Sequence, residues 1–104
     1  MARIAPVNPA TATGKAKTLL DAVKQKLGMV PNMMSTMAQS PAALDGYLAF
    51  SGALSSGLLD AKLREQIALV VGQNNACDYC LSAHSARGKL LGLQPGDITA
   101  ARTG

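Results

Sequence analysis

Four side chains that could carry out thiol chemistry lie within one stretch of twenty residues. They are the chain's only glutamate, Glu65, its only histidine, His84, and its only two cysteines, Cys77 and Cys80. A thiol pair with an imidazole and a carboxylate provides the groups needed to form, use and regenerate a thiolate. No other segment contains a comparable set, so the functional interpretation depends on this one.

The spacing of Cys77, Cys80 and His84 places them together if the segment is helical. Each residue of a helix advances by about 100°, so the three side chains share one face within an arc of about 60°. Cys80 and His84 are four residues apart, the separation at which helical side chains touch. The separation of Cys77 and Cys80 allows a disulfide at a helix N-terminus.

Glu65 is expected to reach His84 from a neighbouring helix, either directly or through one water. The two residues lie nine positions before Asn74 and nine positions after Asn75. If the chain reverses at this Asn pair, the flanking helices form an antiparallel hairpin with Glu65 beside His84. His84 could then take the proton from Cys80 while Glu65 holds the tautomer of the ring. A second cysteine within reach could convert an oxidised sulfur into a disulfide.

Apolar residues at helical spacing, with no useful strand-like alternation, predict an all-α fold of five or six short helices. An irregular arm over residues 1–13 precedes a single helical domain over residues 14–104. The predicted helices cover about residues 14–27, 31–39, 41–55 and 77–91, with a last turn or two from residue 95. A further helix is expected after Asp60, and residues 72–75 should interrupt it. Asp60 is expected to cap the fourth helix, in which five consecutive apolar residues (67–71) predict a central position covered on all sides.

Composition narrows the class of protein. Apolar residues make up 48% of 104 residues, an aliphatic excess that indicates burial between subunits. The net charge of +4 comes without an arginine-rich run or aromatic platform, which argues against nucleic-acid binding. No apolar run reaches the ~18 residues of a membrane span, and the N-terminus lacks a signal core. We therefore expect a cytoplasmic protein, in which a cysteine pair is typically catalytic or metal-binding.

With these residues placed, the pattern Glu-x11-Cys-x2-Cys-x3-His resembles the AhpD-like (alkylhydroperoxidase D) family, which is related to carboxymuconolactone decarboxylases. The resemblance covers about residues 27–100. The matching segments are Gly28-Met-Val-Pro31-Asn32, Ser40-Pro41, Leu63-Arg64-Glu65, Asn75-Ala-Cys77-Asp-Tyr79-Cys80 and Gly92-Leu93.

The resemblance implies an all-helical peroxidase that assembles as a trimer or hexamer and needs no metal or other cofactor. Cys80 would attack a hydroperoxide, Cys77 would be its disulfide partner, and His84 with Glu65 would relay protons. A dithiol such as dihydrolipoamide, carried on a partner protein, would reduce the disulfide again. Some peroxidases of this family have a histidine where this chain has Tyr79. The decarboxylase branch generally lacks the CxxC motif, so decarboxylation is not expected.

Other interpretations stay open at this point. The cysteine pair could serve a general disulfide oxidoreductase, or the protein could be a non-catalytic oligomeric module with inert buried thiols. Two thiolates, an imidazole and a carboxylate could also bind zinc, although three candidates on one helical face fit a tetrahedral site poorly. Arg87 and Lys89 are expected on the solvated face of their helix.

Overall fold

A computed structural model describes residues 3–104, and within this range the chain is helical with no strand. The predicted all-α fold is confirmed. The six helices are α1 (Gly14–Leu27), α2 (Asn32–Met37), α3 (Pro41–Ser55), α4 (Ala61–Asn74), α5 (Asp78–Leu90) and α6 (Pro95–Thr103). Met1 and Ala2, the first two residues of the predicted arm, lie outside the described residues. Within the described range, no helix has the length and apolar character needed to cross a bilayer.

Local signals in the sequence account for most helix ends. Gly28 ends α1 in the left-handed conformation, with φ 82°, which glycine adopts without steric cost. Ser40 precedes Pro41 and accepts a hydrogen bond from the Ala43 N–H. Asp60 caps α4 by accepting the Leu63 N–H at 2.8 Å. These predicted stops and caps are confirmed.

The C-terminal helix is longer than the predicted turn or two. α6 has nine residues, and a reciprocal capping box between Gln94 and Asp97 fixes its first turn. Asp97 accepts the Gln94 backbone N–H at 3.0 Å. On its inner side α6 presents Ile98 to α4 and α5. This packing supplies the stability that a short helix lacks by itself.

The chain divides into two compact units, the first extending to Leu54 and the second covering Ser55–Gly104. The core of the first unit is formed by α1, α2 and α3 and contains Leu20, Val23, Met34, Ala38 and Leu44. The second unit consists mainly of α4, α5 and α6 around Leu69, Leu93 and Ile98. The single domain expected over residues 14–104 stays a prediction. All four candidate site residues belong to the second unit.

Helix α4 is central in the second unit, but one of its faces is uncovered. Glu65, Leu69 and Gly72 are buried on the face that meets α5 and α6. Ile67 and Val71, by contrast, are 42% and 50% exposed. Within the chain, the predicted cover on all sides of α4 is therefore missing from this face. An apolar run supplies two apolar faces, and the second unit packs helices against only one of them.

Candidate active site

The turn between α4 and α5 positions the site. The Cys77 N–H donates to the Gly72 carbonyl at 2.9 Å, and the Ala76 N–H donates to the Gln73 carbonyl at 3.1 Å. These two bonds define a Schellman motif, whose left-handed residue is Ala76 with φ 51°. The predicted reversal is present, but its left-handed residue comes one position after the Asn pair. Alanine is an unusual choice there, so composition alone did not identify it.

Cys77 is the N-cap of α5 rather than its first helical residue. Its Sγ accepts a hydrogen bond from the Cys80 backbone N–H at 3.2 Å. This contact uses one of the unpaired amides at the helix start, where negative charge is favoured. The predicted start at about Cys77 is thus one residue early, and the first sulfur occupies the position that a capping side chain normally takes.

The two cysteines form a disulfide, with their Cα atoms 5.3 Å apart. Both residues are half-buried, and Tyr79 between them is exposed. Cys80 also packs against α4, since a Cβ on residue 72 would lie 3.1 Å from the Cys80 Cβ. Gly72 therefore allows the close approach of the two helices at the second cysteine.

Glu65 and His84 meet across the hairpin, as their equal distance from the turn predicts. His84 Nδ1 lies 2.6 Å from Glu65 Oε2. Because a carboxylate can only accept a hydrogen bond, Nδ1 carries a proton, and the lone pair of the neutral ring is on Nε2. The Glu65 side chain is only 10% exposed and that of His84 is 34% exposed. The ring is thus held from its buried side, and it follows Cys80 by one turn of α5.

Arg87 is a member of the site that the sequence analysis did not assign. Its Nε lies 3.2 Å from Glu65 Oε1, although it was expected merely on the solvated face. The sequence spacing could have indicated this role, because Arg87 follows His84 by three residues and the two side chains therefore share one face of α5. Glu65 therefore has an ion-pair or hydrogen-bond partner at each carboxylate oxygen.

The arrangement fits acid–base chemistry at a sulfur. It combines a cysteine pair at a helix start, an imidazole one turn away and a carboxylate that fixes the ring. Among the described residues, no three His, Cys, Asp or Glu side chains are grouped so that they could hold a metal ion. With the disulfide closed, neither sulfur is available as the thiolate that zinc requires.

Comparisons with known proteins agree with this geometry. Residues 41–104 match the model of the carboxymuconolactone decarboxylase family. The chain resembles the crystal structure of the alkylhydroperoxidase AhpD core from Rhodospirillum rubrum, with a TM-score of 0.85 and 26% sequence identity. That match covers 97% of this chain and 79% of the other.

A sequence relative is found in Haemophilus influenzae, where it is described as an uncharacterized protein. It is 46% identical over 48 residues, which are 45% of this chain and 42% of the relative's length. The match to the family model extends over more than half of the chain and includes all four candidate site residues. By sequence and by fold, the chain belongs to the AhpD-like carboxymuconolactone decarboxylase family.

Proposed function

We propose that the protein is a thiol-dependent peroxidase that reduces hydroperoxides through Cys77 and Cys80. The observation that carries the proposal is the 2.6 Å contact between Glu65 and His84, one helical turn from a cysteine disulfide. A paired carboxylate and imidazole have a clear use beside a sulfur that must lose a proton before it reacts. The similarity to an alkylhydroperoxidase core supports the same class of reaction.

In the first half of the proposed reaction, the reduced Cys80 thiol gives its proton to Nε2 of His84. The thiolate attacks the terminal oxygen of the hydroperoxide, and the O–O bond breaks as the S–O bond forms. The leaving alkoxide takes the proton back from His84 and departs as an alcohol. Sulfur is thereby oxidised to a sulfenic acid while the peroxide is reduced. Between these two proton transfers the His84 ring is positively charged, and Glu65 stabilises that charge.

In the second half, the Cys77 sulfur attacks the Cys80 sulfenic acid and water leaves, which closes the disulfide. An external dithiol then attacks the disulfide and passes through a mixed disulfide. It leaves oxidised, and both cysteines regain their protons. A dihydrolipoamide-type dithiol on a partner protein is the reductant we propose. No metal or other cofactor takes part in these steps.

We also propose a homo-oligomer, a trimer or hexamer, in which the uncovered face of α4 is buried. Leu63, Ile67 and Val71 recur every four residues on this face and are exposed. A continuous apolar stripe of this kind is typical of an interface between proteins. A subunit contact there would account for the aliphatic excess of the sequence.

The test is a thiol titration of the reduced protein. One equivalent of an alkyl hydroperoxide should consume both free thiols, and dihydrolipoamide should restore them. Cys80→Ser should abolish peroxide turnover, whereas Ser82→Ala, a similar-sized change at an exposed site on the same helix, should retain it. Full turnover by Cys80→Ser would exclude Cys80 as the nucleophile.

A general disulfide oxidoreductase is the second candidate. The observation in its favour is the hydrogen bond from the Cys80 N–H to Cys77 Sγ, because a thiolate stabilised at a helix N-terminus is a good leaving group in disulfide exchange. Rates with an alkyl hydroperoxide and with a model disulfide, measured on the same reduced protein, separate the two activities. Faster oxidation by the disulfide would favour this candidate.

A further inference from the structure

Arg87 makes the second charged contact of the buried carboxylate. His84 and Arg87 are three residues apart on α5, and each meets a different oxygen of Glu65, at 2.6 Å for Nδ1 to Oε2 and 3.2 Å for Nε to Oε1. A carboxylate held at both oxygens has less freedom to rotate than one held at a single oxygen. The contact therefore restrains the group that holds the ring.

We propose that Arg87 is a positioning residue whose positive charge sets the pH range in which the Glu65–His84 pair gives up its proton. The consequence for peroxide reduction rests on the proposed function, but the effect on the titration of the pair does not. In this role Arg87 touches neither peroxide nor sulfur. It acts through Glu65.

The argument follows from charge balance around a poorly solvated group. The Glu65 side chain is 10% exposed, so its negative charge needs a nearby positive partner. Arg87 supplies that charge at every physiological pH. If Arg87 is removed, the protonated ring of His84 is left as the partner. The pair must then hold its proton to higher pH, and His84 is less available as a base near neutrality.

Four other charged residues on the three helices of this unit have contacts elsewhere. On α4, Arg64 donates to the Leu59 carbonyl and the Lys62 ammonium lies near Gly92. On α6, Asp97 caps its own helix and Arg102 donates to Gln73. The remaining charged residues of α5 are Asp78, in its first turn, and Lys89, near its end. Among the described contacts, Arg87 is the permanently charged partner of the carboxylate.

The expected effect is modest, because the Arg87 side chain is 54% exposed and water screens its charge. A unit charge separated from the ring by one carboxylate and screened at a protein surface corresponds to a shift of about 0.5–1 pH unit. Removing a positive charge favours protonation of the pair, so the shift is towards higher pH.

His84 is the only histidine, so its ring gives a single set of NMR signals that can be followed with pH. In the oxidised protein, Arg87→Gln should raise the midpoint of this titration by about 0.5–1 pH unit. Lys89→Gln, the same loss of charge two residues further along α5, should leave it nearly unchanged. Arg87→Lys should recover most of the wild-type midpoint. A titration of Arg87→Gln that superimposes on the wild type would overturn the inference.

A measurement on the unaltered protein covers the case in which Arg87→Gln does not fold. The Nε–H resonance of Arg87 should move over the same pH range as the ring signals, since both groups contact one carboxylate. An Arg87 Nε–H resonance whose chemical shift stays constant over the pH range in which His84 titrates would contradict the inference.

Alkylation kinetics connect the titration to sulfur reactivity without requiring peroxidase activity. In the reduced protein, the pH at which Cys80 reaches half its maximal alkylation rate should rise in Arg87→Gln and stay near the wild-type value in Lys89→Gln. An unchanged alkylation profile would overturn the proposed link to sulfur. If these shifts appear while peroxide consumes no thiols, the peroxidase proposal fails and the role of Arg87 stands.

Discussion

Gly72 on α4 and Cys80 on α5 are in such close contact that a Cβ on residue 72 would lie 3.1 Å from the Cys80 Cβ. The same Cβ would lie 3.7 Å from Leu81 Cδ2. Gly72 is buried inside a helix, where glycine is normally unfavourable. Its presence is explained by the neighbouring helix, since the distance between α4 and α5 at the second cysteine depends on the missing side chain.

We therefore predict that Gly72→Ala destabilises the protein even though alanine is the better helix former. The steric cost of overpacking, about 1–3 kcal/mol, exceeds the gain in helix propensity of about 1 kcal/mol. Gly46→Ala in α3 is the matched control, because a Cβ there meets nothing within 4 Å. It should be neutral or stabilising. Urea unfolding of the two oxidised variants measures the difference, and equal stabilisation by both would refute the close-packing explanation.

A second prediction concerns the left-handed alanine in the turn. Ala76 has φ 51°, a conformation that costs an L-residue about 1–2 kcal/mol, whereas glycine adopts it freely at an entropic cost of about 0.5–1 kcal/mol. Ala76→Gly should thus stabilise the protein by up to about 1 kcal/mol.

Ala86→Gly, the same change at an exposed position inside α5, should destabilise the protein by about 1 kcal/mol. Thermal unfolding of the two variants measures their changes in stability, which should have opposite signs. Loss of stability in both would mean that the turn does not favour glycine at residue 76.

A third prediction tests the carboxylate. Glu65→Gln keeps the size of the side chain but removes the charge that fixes the His84 ring and pairs with Arg87. Under the proposed function, peroxide turnover near neutral pH should fall by about ten- to a hundred-fold, since a misoriented base loses much of the 10²–10⁴-fold effect of general base catalysis.

Stopped-flow thiol consumption measures this rate, and helical circular dichroism checks the fold. Asp21→Asn, an identical charge change at an exposed position of α1, is the control and should behave as the wild type. A Glu65→Gln protein as fast as that control would remove Glu65 from the mechanism.

Local signals made much of this structure predictable. Glycine at residue 28, the Ser40-Pro41 pair and Asp60 each mark a helix end through the chemistry of their own side chain or backbone. The contact between Glu65 and His84 followed from counting residues on either side of one turn. That count fixes position along the hairpin axis, which is sufficient for two side chains that both face the partner helix.

The contacts missed by the sequence analysis depend on the rotation of the helices. Whether Arg87 faces Glu65 or water depends on how far α5 is turned about its own axis. The Schellman motif at Ala76 helps set this rotation, and the approach at Gly72 helps set the helix separation. Neither the rotation of α5 nor its separation from α4 can be obtained by counting residues. The uncovered face of α4 has the same origin, since a continuous apolar run does not tell how many neighbours will pack against it.

That uncovered face gives a last prediction, which concerns assembly. Ile67 lies between Leu63 and Val71 on the exposed stripe of α4, opposite the face that carries Glu65. If the stripe is a subunit interface, Ile67→Arg would place a charge in a desolvated contact, and the protein should dissociate towards monomers. Light scattering after size-exclusion chromatography reports the mass, and Ile67→Val should retain the wild-type state. Because residue 67 points away from the core of its own unit, the helical content of Ile67→Arg should be preserved. A wild-type protein that is monomeric at high concentration would refute the interface.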